Sequence, residues 1–190
     1  MLNNKILWII SAALVFILLF LWKSYNSFIK ARNKVKADFA DIDVQLKRRA
    51  SLIENLATIV KEYAKHEKDT FIQVAEARSA VNSAKGPKDS ATAENMLTST
   101  LKSLFAVSEN YPELKASGNF KDLQNQLTET ENFISSYRET YNQTVLDYNT
   151  MIQTFPNLLA AGILDLKKKN YFKQPQKTKV QLNYSLKKLL

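Results

Sequence analysis

The chain has 190 residues, 45% of them apolar and 24% charged, with a formal net charge of +9. That length supports one domain with a core, and only three glycines and four prolines argue against sandwiches, barrels and other turn-rich folds. The absence of cysteine excludes disulfides, thiolate metal sites, cysteine nucleophiles and lipid attachment through a thiol. A single histidine, His66, excludes multi-histidine metal centres and weakens histidine-based catalysis.

Residues 6–22 carry no charge, and twelve of these seventeen are Leu, Ile, Val or Phe. As a helix they reach about 25 Å, near the lower limit for a bilayer. Their insertion is favoured by roughly 4–7 kcal/mol at most. Ile6, Leu14 and Phe16 belong to the apolar surface, and Trp8 and Trp22 lie near its ends, where indole rings prefer the headgroup layer. Ser11 can return its hydroxyl to a helix carbonyl. A cleaved signal peptide would need small residues after the apolar run, but Trp22-Lys23-Ser24-Tyr25 follows. A buried core helix would be amphipathic, and this segment is apolar all round. Residues 1–23 therefore read as an uncleaved membrane anchor. Only Lys5 precedes the run, whereas Lys23, Lys30, Arg32, Lys34 and Lys36 follow it. The positive-inside rule then places the amino terminus outside and the remaining chain in the cytoplasm.

From Tyr25 onward the helical period dominates. Phe28, Val35, Phe39, Ile42, Leu46, Ile53, Leu56, Val60, Tyr63, Val74 and Val81 form one apolar stripe. Gly86-Pro87 interrupts it, and Asp89 or Ser90 can cap the next helix, which carries Leu97, Leu101, Leu104 and Phe105 up to Tyr111-Pro112. After the turn at Ser117-Gly118-Asn119, a heptad run extends over Phe120, Leu123, Leu127, Thr130, Ile134, Tyr137, Tyr141, Thr144, Tyr148, Met151 and Phe155. Its tyrosines read as core with hydroxyls at the bundle edge rather than as a cofactor site. One helix from Tyr25 to Ala84 would reach about 90 Å against roughly 54 Å for the heptad helix. A break between Arg49 and Ser51, with Ser51 capping toward Glu54, would equalise the lengths. The expected fold is thus all-α: a transmembrane helix followed by an antiparallel, up-and-down four-helix bundle over residues 24–156.

Several blocks resemble the LemA family of bacterial membrane proteins. They include Asp41-Ile42-Asp43-Val44-Gln45-Leu46-Lys47-Arg48-Arg49, His66-Glu67, Tyr111-Pro112-Glu113-Leu114-Lys115-Ala116, Thr130-Glu131-Asn132, Tyr141-Asn142 and Tyr148-Asn149-Thr150. The last continues as Ile152-Gln153-Thr154-Phe155-Pro156. The resemblance implies one amino-terminal span and a bundle of four helices, and it assigns no enzymatic activity. Glu54 stands where the family usually has proline, which weakens the local case for a helix break.

The residues offer no catalytic constellation. Glu62 and His66 would share one helix face, but a di-iron bundle needs further Glu-x-x-His pairs. Thr70 occupies the second histidine position of a His-Glu-x-x-His motif. Asp43 and Lys47 make an ordinary pair four residues apart, and Arg48 or Arg49 can bridge helices by bonding to Glu131 or an Asn. No phosphate loop or nucleophile elbow occurs. The expectation is no enzyme, no cofactor, no metal, no nucleic acid and no small-molecule substrate.

Charge is uneven. Residues 23–49 hold eight basic and three acidic groups, residues 156–190 eight basic and one acidic, and residues 50–155 are net acidic. Residues 157–172 read either as a short interfacial segment or as a lid on the bundle core, and 173–190 as a disordered basic tail. In the interfacial reading Lys23, Lys30, Arg32, Lys167, Lys168 and Lys169 meet phospholipid headgroups, unless an unbroken first helix carries the tail far from the bilayer. The functional expectation is a scaffold or adaptor at the membrane surface, with a lipid bilayer and unidentified proteins as partners. The alternative is an accessory subunit of a membrane-bound enzyme such as a peptidase.

Overall fold

The structure, a computed structural model, describes residues 2–172, with the side chains of Leu2 and Asn3 left aside. The expected basic tail, 173–190, lies outside the described residues. Six α-helices and no strand occur among the latter: α1 (Leu2–Tyr63), α2 (Lys68–Ser83), α3 (Pro87–Ser108), α4 (Pro112–Ala116), α5 (Gly118–Met151) and α6 (Asn157–Ile163). They divide into two compact units. The first comprises residues up to Asp38 with Thr140–Asn170, and the second comprises Phe39–Glu139 with Tyr171 and Phe172.

The sixty-two residues of α1 contain no glycine or proline, and the helix passes unbroken through Arg49 and Ser51. This corrects the expected break. Ser51 does not cap anything; its hydroxyl donates to the Lys47 carbonyl one turn back, a bond that a helix interior supplies. Arg49 and Ala50 are buried in the same stripe as Leu46 and Ile53, so packing holds the helix together across the charged run. The chain turns instead at Ala64, where Lys65, His66 and Glu67 are exposed and offer nothing to bury. The Ala64 amide still donates to Val60, and Glu67 donates to Ala64. His66 therefore leaves the helix, and the face it was expected to share with Glu62 does not form.

Within the second unit, α2 buries Thr70, Val74, Ala77 and Val81, and α3 buries Ala93, Leu97 and Leu104. Gly86 separates them with φ 87°, a backbone conformation that favours glycine. Pro87 opens α3 at its first position, where no amide is needed. Neither Asp89 nor Ser90 is the cap: Asp89 reaches back to accept the Lys85 amide at 3.1 Å. Ser117 caps α5 by accepting the Phe120 amide at 3.3 Å. Phe120, Leu123, Leu127 and Ile134 are buried on α5, and Phe105 meets Phe120 edge-on at 6.0 Å between ring centres.

Within the first unit, Phe28 and Val35 of α1 and Tyr141, Val145 and Tyr148 of α5 are buried. Thr144 donates to the Asp38 carboxylate, Ser27 to the Met151 sulfur at 3.6 Å and Ser24 to Asn157 Oδ1 at 3.4 Å. The partners descend in number on α1 as they ascend through α5 to the start of α6, the signature of antiparallel neighbours. The heptad run was expected to reach Phe155, but α5 ends at Met151 and Phe155 is exposed.

Proline at the exposed position Ser51 would remove an intrahelical bond and clash with the preceding turn, costing about 3 kcal/mol or more. We expect Ser51→Pro to lower the unfolding free energy of the detergent-solubilised full chain by that amount, read by circular dichroism. A neutral effect would mean that a helix end lies there after all.

Candidate membrane interface and buried charge cluster

The anchor side chains Ile6, Trp8, Leu14, Phe16 and Trp22 all project from α1 into open surroundings. Among the described residues α1 is the one helix long and apolar enough to cross a membrane, and none of its apolar window is buried by protein. This arrangement is compatible with a membrane anchor, because apolar surface of that extent is stable only in lipid or against protein. Ser11 donates to the Trp8 carbonyl at 2.9 Å, so the segment's polar hydroxyl is satisfied within the helix, as its sequence led one to expect.

Lys23, Trp22 and Leu19 border an open groove of about 550 Å³ along one face of α1, continued by Asn26, Ser27 and Lys30. Leu19 and Trp22 make one end apolar, with Lys23 beside them, and Lys30 marks the other end. Arg32 lies close enough to Tyr148 to favour ionisation of its phenol, but burial dominates and raises the Tyr148 pKa above 10.0.

On the other chain segment of this unit, α6 is closed by a Schellman arrangement. Asp165 takes φ 47°, its amide donates to Gly162, and Leu166 donates back to Ala161. An extended strap follows. Asn149 clamps it from α5, its Nδ2 donating to the Lys169 carbonyl at 3.0 Å and its Oδ1 accepting the Lys169 amide at 2.8 Å. Tyr141 donates to the Asn170 carbonyl at 2.9 Å, and burial holds this hydroxyl in its neutral, donating form. Lys167 and Lys168 are left exposed on the strap, with Lys167 3.6 Å from Asp165.

The second unit hides a charge cluster. Arg49 of α1 meets Glu131 of α5 at 2.5 Å, and Arg138 of α5 meets Glu94 of α3 at 2.7 Å. The Glu94 side chain is 2% exposed. Burial, the largest influence, raises its pKa above the ordinary 4.5, opposed by the charge of Arg138 and assisted by Glu131. Burial likewise lowers the Arg49 pKa, against the pull of Glu131 and Glu94. Arg138 also stands over the ring of Phe172 at 6.0 Å. Phe172 is buried, which corrects the interfacial role expected for the segment at that residue.

Outside this cluster the pairs lie at the surface. Lys47 holds Asp43 at 2.8 Å, Arg48 holds Glu129 at 3.2 Å, and Arg78 holds Glu54. The helix-bridging contact expected of Arg49 with Glu131 is present. Glu94 and Arg138 were not singled out by sequence, although a signal existed: both stand in buried stripes, Glu94 between Ser90 and Leu97 and Arg138 between Ile134 and Tyr141. A charge at a core position implies a partner. Among the described residues no group of acidic, histidine or cysteine side chains could hold a metal ion.

Removing one member of a buried pair strands the other. We expect Arg138→Met to destabilise the full chain by about 3–5 kcal/mol, and Glu94→Leu combined with Arg138→Met to recover most of the loss, both read by chemical unfolding in detergent. Folding also favours the protonated form of Glu94, so the folded state binds a proton that the unfolded chain has already released. Its contribution to stability is therefore full below the ordinary 4.5 and is lost as pH rises through the raised folded value. Accordingly, the stability of the wild type relative to Glu94→Gln should improve as pH falls toward 4.5. A pH-independent difference would contradict the buried assignment.

A family model described as the LemA family matches residues 38–184. Two magnetosome proteins from Paramagnetospirillum magneticum, MamQ 2 and MamQ 1, are each 25% identical to the chain over 79% of its length and 65% of theirs. The magnetosome protein MamQ of Magnetospirillum gryphiswaldense is 24% identical over 78% of the chain and 64% of its own length. The chain thus spans just under two thirds of these relatives. The family match runs from the end of the first unit's α1 segment through α5 and beyond, taking in the Arg49–Glu131 and Arg138–Glu94 pairs and the Asn149 clamp, and on this ground the chain belongs to the LemA family.

Proposed function

We propose that the chain is a membrane-anchored scaffold or adaptor without a catalytic centre of its own. One observation carries this reading: α1 is a single helix, apolar and unburied over residues 6–22 and core-forming from Phe28 onward. An apolar helix all round belongs in lipid, and its continuation is a helical domain whose charged interior is already paired. A catalytic carboxylate or guanidinium must be free to meet a substrate, whereas Glu94 and Arg138 neutralise each other in the core. The relatives are named for the magnetosome rather than for a reaction, which suits an organising role.

In this reading the amino terminus lies outside and the helical domain in the cytoplasm, because five basic residues closely follow the span and one precedes it. Lys23, Lys30, Arg32, Lys167, Lys168 and Lys169 contribute to headgroup attraction, at about 1 kcal/mol for each that comes near an anionic surface.

The chain has no cysteine, so a single Asp122→Cys variant reports its side of the membrane without background. A membrane-impermeant maleimide should label it only after cell lysis. Cross-linking of the full chain in its native membrane should then yield a reproducible protein partner in stoichiometric amount. Labelling of intact cells overturns the orientation; lipid and self-contacts alone overturn the adaptor role.

A further inference from the structure

The large side chains around α6 point the wrong way for a helix packed in water. Ala160 and Ala161, the small residues, are turned inward at 1% and 4% exposure, whereas Leu158, Leu159 and Ile163 face out at 51%, 60% and 74%. Phe155, in the preceding turn, is 80% exposed. No charged residue occurs between Asp147 and Asp165. A water-facing surface helix places its aliphatic residues inward and its charges outward, and an exposed apolar cluster of this kind marks a contact with something apolar.

Position tells what that is. Ser24, two residues beyond the charge-free span of α1, donates to Asn157, the first residue of α6, and Ser27 donates to Met151 at the end of α5. The outward apolar cluster is thereby held against the point where α1 leaves the hydrocarbon. At seven residues α6 cannot cross a bilayer. It can lie at the boundary, with its apolar side chains among the upper acyl chains and Lys23 and Lys30 at headgroup height.

We propose that the segment from Phe155 to Ile163 is a second, non-spanning membrane contact, inserted into the same leaflet from which α1 emerges. The occupant of the apolar face is phospholipid. A transmembrane helix alone leaves the attached domain free to tilt and rotate about its exit point; a second contact beside that exit fixes both. The inference rests on the membrane-anchor reading and goes beyond it.

The test uses the full chain reconstituted in vesicles of phosphatidylethanolamine and phosphatidylglycerol. Single-cysteine variants Phe155→Cys, Ile163→Cys, Leu14→Cys and Asp147→Cys each carry an environment-sensitive fluorophore. Labels at 155 and 163 should emit at shorter wavelength than the label at 147. They should be quenched several-fold more by spin-labelled lipid, and several-fold less by aqueous iodide. If 155 and 163 behave like 147, the second contact does not exist. Shielding of both from lipid and iodide alike would assign the face to protein, a second copy if the shielding falls on dilution into excess lipid, and would equally overturn the proposal. The label at 14 separates the two readings: lipid quenching there with none at 155 and 163 leaves the anchor standing and removes only the second contact, whereas no lipid quenching at 14 removes the anchor as well.

Discussion

Taking the Glu94 carboxylate out of water costs several kcal/mol, and what makes its burial tolerable is the Arg138 guanidinium 2.7 Å away on another helix. Arg49 is buried in the same way, and the half-exposed Glu131 pairs with it, joining α1 to α5. Apolar stripes allow helices to slide past one another by a whole turn at modest cost, because residues three or four apart share a face and one leucine replaces another. Ion pairs anchored in the core do not: a shift of one turn on α5 would strand the buried Arg49 and Glu94. We therefore regard these pairs as the register marks of the second unit. The continuity of α1 through Arg49, where a break was expected, follows from the same constraint, since Arg49 reaches Glu131 from within an uninterrupted stripe of Leu46, Ala50 and Ile53.

In the first unit the organising contacts are polar and neutral. Thr144, Ser27 and Ser24 tie α5 and the start of α6 to α1 at successive heights, and Asn149 and Tyr141 hold the returning strap by its backbone. An asparagine that satisfies both the carbonyl and the amide of one residue orders an extended segment that has no partner strand. The Ser24 bond to Asn157 holds the start of α6 beside α1 two residues beyond its charge-free segment, although α1 runs unbroken through Arg49.

These features support the proposed reading of a protein whose work is placement. The interior charges are paired, the one histidine lies in an exposed turn, and the exposed apolar surface is concentrated along residues 6–22 of α1 and on the Phe155–Ile163 segment beside the end of that run. Membership of the LemA family, and the likeness to proteins named for the magnetosome, agree with a membrane-associated helical protein and point to no reaction.

Period and composition by themselves determined the helical class, the apolar segment of residues 6–22, the core stripe from Phe28 to Val60, and the Asp43 pairing with Lys47. Each depends on residues within a turn or two of one another, or on the solvent preference of a contiguous stretch. Tertiary structure alone decided where α1 ends, that Phe172 enters the core while Phe155 does not, and that Glu94 belongs with Arg138. A helix stops where further residues find nothing to bury, and a buried charge is acceptable only opposite its counter-charge. Both conditions are set by helices distant in sequence, so spacing along one helix cannot supply them.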